Sequence, residues 1–204
     1  MYIQGNSVTT RSLVNQHICC IIFREASSGP VFGNEIEKKR FLDILLDARQ
    51  SLDAEVYAYC ILDRKGYILA GVRQKSELKA AADSMKSAFE SCYHETYPRE
   101  KACICCEMQW LGKLTWGEIT EACIRIQQLP VEHLRVEKAE DYWWSSLKEY
   151  LLRYRSGIMQ PELLLGILDP DRRRAVRKMK TRQEAWRLKE GKDSNYKNVS
   201  GAIL

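Results

Sequence analysis

Between His17 and Leu111 the chain carries six apolar segments whose periodicity changes in a fixed order, and that order restricts the fold more than any other property of the sequence. His17 to Glu25 (HICCIIFRE) is a short apolar run rich in branched residues, which reads as a buried strand. Ser27-Ser28-Gly29-Pro30 breaks it. From Asn34, an N-cap residue, Ile36, Phe41, Ile44, Leu45, Ala48 and Leu52 recur at helical spacing, with Glu37, Lys38, Lys39 and Arg40 on the other side. Glu55 to Leu62 is a second strand, Asp63 to Gly66 a tight turn and Tyr67 to Val72 a third strand, together a hairpin. Ser76 opens a second helix through Leu78, Ala81, Ala82, Met85, Ala88, Phe89 and Cys92, which Pro98 prevents from continuing. Ala102 to Leu111 is a fourth strand.

Strand, helix, strand, strand, helix, strand is the split β-α-β order of ferredoxin-like domains. It predicts an α+β fold, a β-α-β-β-α-β antiparallel sheet with helices on one face, followed by a helical C-terminal extension. In the extension a third helix runs from Trp116 to Gln128 and is ended by Leu129-Pro130. A linker leads to Asp141-Tyr142-Trp143-Trp144-Ser145-Ser146 and a helix through Tyr150 and Tyr154. Pro161 opens a short apolar helix (Leu163, Leu164, Leu165, Ile167, Leu168), and Asp169-Pro170 starts a basic one. The expected division is one domain over 14–130, a C-terminal helical part of it over 131–168, and a basic helix or tail over 169–197.

The net charge of +5 is unevenly spread: Asp171 to Lys197 holds eleven basic residues against four acids, so that stretch carries +7 and the rest of the chain −2. Arg172, Arg173, Arg174, Arg177 and Lys178 fall within two helical turns, and Arg182 and Arg187 follow. Like charges at this spacing repel, so the cluster calls for counter-charges. Nucleic-acid phosphate or an acidic protein surface would supply them; a plain solvated helix is the alternative. Trp186 is placed either to stack on an unpaired base or to dock on the body.

No stretch approaches the roughly 18 apolar residues that span a bilayer, so no membrane partner is expected. Met1 to Val14 has one Arg and no apolar run, unlike a signal peptide, which makes the cytoplasm the expected location. There the eight cysteines stay reduced. Cys103 and Cys106 have zinc-ribbon spacing but lack a second ligand pair, a strand turns them to opposite faces, and His17, His94 and His133 are scattered. Buried packing is their expected role, as surface or capping positions are for His94 and His133. Of the adjacent Trp143 and Trp144, one is expected to plug the junction between sheet and C-terminal helices.

From His17 to Lys180 the chain resembles the small HUH-type tyrosine transposases, in particular the REP-associated tyrosine transposases and related insertion-sequence enzymes. Phe32 to Leu46, with acids ahead of Arg40-Phe41-Leu42, resembles that family's first helix, and Ala58-Tyr59-Cys60-Ile61-Leu62 the strand leading to its catalytic motif. Leu129-Pro130-Val131 followed by Glu137 to Ser146 (EKAEDYWWSS) resembles its post-catalytic helix end and its Asp-Tyr-x-Trp-Ser-Ser signature, the most specific of the matches.

Members of that family hold a divalent metal with two histidines at i and i+2 of the strand after the hairpin turn, and attack a DNA phosphate with a tyrosine on a later helix. The matching positions here are Lys65 and Tyr67 for the histidines and Arg125 for the tyrosine, and Thr115 to Glu140 contains no tyrosine. The resemblance therefore implies a relative that binds single-stranded hairpin DNA as a homodimer, with no small-molecule substrate, no cofactor and no strand cleavage. Lys65, Arg125, Arg172, Arg173, Arg174, Arg177, Lys178 and Arg182 are the candidate DNA-binding residues. For Lys65 and Arg125 the plain alternative is a solvated turn residue and an exposed helix charge; Tyr67 either stacks on a base or packs against a helix. Two other functions stay open: an active transposase with another tyrosine and Mg²⁺ or Mn²⁺, and a protein-interaction module built on the basic helix.

Overall fold

A computed structural model describes residues 16–26, 30–52, 54–98, 104–112 and 114–190. In chain order these form β1 (His17–Glu25), α1 (Glu35–Ser51), β2 (Glu55–Ile61), β3 (Lys65–Val72), α2 (Lys75–Thr96), β4 (Ile104–Gly112), α3 (Trp116–Glu132), a 3-10 turn at Ala139–Asp141, α4 (Leu147–Leu151), α5 (Pro161–Leu168) and α6 (Arg172–Glu190). The strands make one antiparallel sheet in the order β2-β3-β1-β4. The chain thus adopts the expected α+β sheet with its helical extension. Met1 to Val14, Cys103, Lys192 and Lys197 lie outside the described residues.

The strand register sorts side chains to two faces. Ile21, Val56, Ile68 and Ala70 lie under Leu45 of α1 and Leu78 and Met85 of α2. On that side Phe41 forms the hub of an aromatic cluster, with ring centroids 5.1 Å from Phe23, 5.0 Å from Phe32 and 5.6 Å from Phe89. Alternate residues such as Cys20, Tyr67 and Leu69 turn to the other face. There α3 crosses β2 and β3, and Cys123 Sγ donates to the Tyr57 carbonyl at 3.5 Å. With both faces covered, every residue of β2 is buried, which is why EVYAYCI lacks the alternation of a half-exposed strand.

Three helix boundaries differ from the sequence expectation. α3 does not stop at Gln128 but continues through Pro130 to Glu132. A proline there forfeits one hydrogen bond, to the Ile126 carbonyl, and buried Leu129 and Pro130 hold the last turn against the core. α4 ends at Leu151, short of Tyr154, because Glu149 turns the chain back: the Ser156 amide and hydroxyl donate to its carboxylate at 3.1 and 2.7 Å. α2 starts after Gln74, leaving Ser76 inside the first turn, whereas Asn34 caps α1 as expected, accepting from the Glu37 amide at 2.9 Å.

The Asp141-to-Ser146 stretch straps the free edge of β2. The Ile61 amide donates to the Trp144 carbonyl at 2.9 Å, and the Ser146 amide to the Tyr59 carbonyl at 2.9 Å. Tyr142 Oη donates to the Ile61 carbonyl at 2.8 Å, and the Tyr59 amide to Ser146 Oγ at 3.1 Å. An edge that would otherwise offer unpaired backbone is closed by the chain itself. Trp144 packs against the core while Trp143 is 55% exposed, so one of the two does plug the junction.

Ala175, Met179 and Gln183, spaced at i, i+4 and i+8, are the buried side of α6. Gln183 Nε2 donates to Gln127 Oε1 at 2.6 Å, Gln127 Nε2 to Ser146 Oγ at 3.2 Å, and Gln128 Nε2 to Gln183 Oε1. This run of amides ties α6, α3, the strap and β2 into one hydrogen-bonded unit.

Candidate nucleic-acid interface

Because α6 turns Ala175, Met179 and Gln183 inward, its basic residues are displayed around the remaining surface. Five of them meet carboxylates of the body. Arg172 pairs with Glu162 at 3.1 Å, Arg174 and Lys178 share Asp169 at 3.1 and 2.9 Å, Lys180 reaches Glu140 at 3.4 Å, and Arg182 reaches Glu121 at 3.2 Å. The Lys178 hydrogen bond, helped by the Asp171 amide, holds the Asp169 carboxyl at about 2. Much of the repulsion expected along this helix is thus relieved from within the chain. Among the described residues, exposed Arg173, Arg177 and Arg187 have no such carboxylate.

A cleft of about 620 Å³ opens between α3, α5 and α6. Trp116, Gly117 and Thr120 of α3 and Ile167 and Leu168 of α5 form its apolar side; Arg174, Arg177, Lys178, Thr181 and Arg182 of α6 form the other. Four cations against Asp169 and Glu121 leave the cleft net positive. Trp116 is half-buried and meets Tyr57 edge to face, with ring centroids 6.2 Å apart. Its position follows from the capping box of α3, in which Thr115 Oγ1 accepts from the Glu118 amide and Glu118 accepts from the Thr115 amide at 2.7 Å.

Lys65 and Arg125 have different neighbours. Lys65 opens β3 at the end of the hairpin, on the face toward the C-terminal end of α3. There burial and then the charges of Lys65 and Arg135 lower the pKa of His133, the C-cap of α3. Asp63 is the local counter-charge, 2.9 Å from Arg135 and 2.7 Å from buried Lys38. Arg125 instead lies over the ring of Trp186 on α6, 5.7 Å from its centroid. Tyr67 is buried in the sheet beside Cys60, Cys20 and Glu132, and desolvation pushes its phenol well above the usual range. Trp186 docks on the body rather than standing free.

The structure therefore joins Arg174, Arg177, Lys178 and Arg182 around one cleft and sets Arg172 against Glu162 and Leu152, to whose carbonyl it donates at 3.0 Å. Arg173 projects from the exposed side. Trp116, Thr181, His133 and Arg135 belong beside the candidates but had not been singled out as ligand-facing. The Thr115-to-Glu118 spacing of a capping box is the local signal that could have placed Trp116 at a helix start, and nothing local marks Arg135, which lies in a linker.

Among the described residues no group of three or more His, Cys, Asp or Glu is arranged to hold a metal ion, and no helix is long and apolar enough to cross a membrane. No family model matches the sequence, and no curated protein matches it. The fold is similar to that of a solved REP-associated tyrosine transposase bound to a REP hairpin, with a TM-score of 0.53 over 68% of this chain and 82% of that one. At 9% identity the likeness between the two is one of fold.

Proposed function

We propose that this chain binds DNA folded as a single-stranded hairpin and holds it without cutting it. The observation that carries the reading is the positive cleft lined by Arg174, Arg177, Lys178 and Arg182, with Arg173 and Arg187 exposed on the same helix. Guanidinium groups lacking a carboxylate are suited to bidentate contact with phosphate. The fold similarity to a transposase bound to a hairpin supports the choice of ligand. The cations Lys65 and Arg125, at the positions matched to metal ligand and nucleophile, support binding without cleavage. A homodimer belongs to the same reading.

Arg173→Ala, Arg177→Ala and Arg187→Ala together test it. Each contacted phosphate contributes about 0.7 to 0.9 to the slope of log affinity against log salt, so the triple variant is expected to bind a hairpin more weakly and with a slope shallower by about two to three. No affinity of the native chain for any hairpin at low salt would overturn the proposal. Incubating native protein with intact single-stranded hairpins and Mg²⁺ or Mn²⁺ tests the second half: a nicked strand and a covalent phosphotyrosine adduct would show that cleavage persists.

The pairing of five α6 cations with body carboxylates favours a second reading, in which α6 is a docked structural helix. Under it the triple variant changes nothing, because affinity for polyanions is absent from the start.

A further inference from the structure

We infer that the cleft between α3, α5 and α6 is a seat for one unpaired nucleotide of a DNA strand, its base stacked on Trp116 and its phosphates held along α6. The inference deepens the proposed DNA-binding reading and rests on it. Three observations carry it. At about 620 Å³ the cleft lies within the roughly 300 to 1,000 Å³ typical of small-ligand sites, large enough to admit a base and sugar. Its two walls differ in chemistry: an indole with Ile167 and Leu168 on one side, four cations and Thr181 on the other. A nucleotide has the same division, a flat π-faced base and an anionic backbone.

The third observation is the layout of the charges. Arg174, Arg177, Lys178 and Arg182 stand at i, i+3, i+4 and i+8, one stripe of α6 about 12 Å long at 1.5 Å per residue. A stripe suits a run of phosphates, where a free mononucleotide would need a single converging point. Donor capacity remains after the internal pairs are made. Arg174 uses Nε and Arg182 one Nη in their ion pairs, Arg177 has no carboxylate among the described residues, and each guanidinium carries five N–H groups. The Tyr57 ring meets Trp116 edge to face and covers at most one face of the indole. A paired base has both faces stacked already, so this seat selects a strand with an unpaired position.

Two ligands separate the inference from the reading beneath it: a blunt hairpin, and the same hairpin with a short single-stranded extension carrying 2-aminopurine. The extension is expected to tighten binding about tenfold, by one base stack, and to quench the fluorescent base. Thr181→Trp, an exposed position whose new side chain fills the cleft, and Trp116→Leu, which keeps an apolar contact but offers no ring to stack on, are expected to remove most of the quenching and most of the extension's advantage, read in each variant as the ratio of extended-hairpin to blunt-hairpin affinity. If the blunt hairpin binds and the extension adds nothing, or if Thr181→Trp leaves its advantage intact, the nucleotide seat is wrong and the DNA-binding reading stands. If a free mononucleotide competes as well as the extended strand, the seat belongs to a small molecule and the inference fails. If neither hairpin binds, both fall together.

Discussion

Glu149 shows how one side chain organises the extension. Its carboxylate is fully buried and accepts hydrogen bonds from Tyr59 Oη at 2.8 Å, Ser156 Oγ at 2.7 Å and the Ser156 amide at 3.1 Å. Those donors come from β2 and from the turn after α4, so the carboxylate fixes where the chain reverses. Glu149→Leu takes the acceptor from the buried Tyr59 hydroxyl and from two half-buried Ser156 donors, at about 1 to 3 kcal/mol for each that finds no water, and is expected to lower stability by about 3 kcal/mol in urea unfolding. Glu149→Gln keeps an acceptor for Tyr59 and is expected to cost about half as much; equal losses would mean that shape and not hydrogen bonding matters here. That role was not legible in the sequence, because Tyr59 lies ninety positions away and only the fold brings it to Glu149. Trp116 was hidden for the same reason. Its partners Ile167, Leu168 and Arg177 are some fifty to sixty positions away, and only the packing of three helices makes them neighbours.

At the scale of elements the sequence was most informative where burial is periodic. The amphipathic stripes of α1 and α2 and the apolar runs of β1 to β3 were each readable locally, because one face or both must be buried wherever the element sits. Ends set by distant partners were not: α3 passes Pro130 because core contacts hold its last turn, and α4 stops early because Glu149 captures Ser156. The strap and α6 belong to this second class, since both depend on the buried amides joining Gln183, Gln127 and Ser146. Met179, wholly buried under α6, lies between the two anchors Ala175 and Gln183. Met179→Ala is expected to cost about 2 to 4 kcal/mol. Because Met179 is the buried centre of the α6 contact with α3, α4 and α5, the loss should fall on the docking of α6 first. Hydrogen exchange of α6 amides should speed up at low denaturant while β1 and β3 remain protected. Uniform acceleration across sheet and helix would instead make α6 part of one cooperative unit with the sheet.

For the molecule as a whole, the buried cysteines set a limit on the alkaline side. Cys19, Cys20, Cys60 and Cys123 are each at most 1% exposed. Desolvation pushes the Cys19 and Cys20 thiols from the usual 9.0 to about 12, Cys19 with a smaller push from Cys20, and raises Cys60 and Cys123 further. An acid whose folded pKa lies above its unfolded one contributes stability that is complete below the unfolded value and is lost as pH rises toward the folded one. Above pH 9.0 the unfolded chain releases thiol protons that the folded chain keeps, and each thiol then removes about 1.4 kcal/mol per pH unit. Lys148 works the other way. Burial lowers its ammonium from 10.5 to about 8, so between those values the folded state has shed a proton that the unfolded state still holds, and stability rises with pH. Half-buried Cys106, whose thiol desolvation raises from 9.0 to about 11, adds a fifth, so with one thiol offset by the lysine four remain uncompensated. Against a total stability of about 5 to 15 kcal/mol, a net loss of roughly 5 to 6 kcal/mol per unit unfolds the protein within a few pH units of 9. Thermal melts are expected to hold level or rise slightly from pH 8 to 9 and to fall steeply beyond it. Cys60→Ala with Cys123→Ala, both conservative in volume, should flatten the fall by about half while leaving the pH 7 midpoint within a few degrees. A midpoint unchanged through pH 10.5 in the native chain would mean that these thiols reach solvent in the folded state, and with it that the two-sided burial of the sheet by α1, α2 and α3 is wrong.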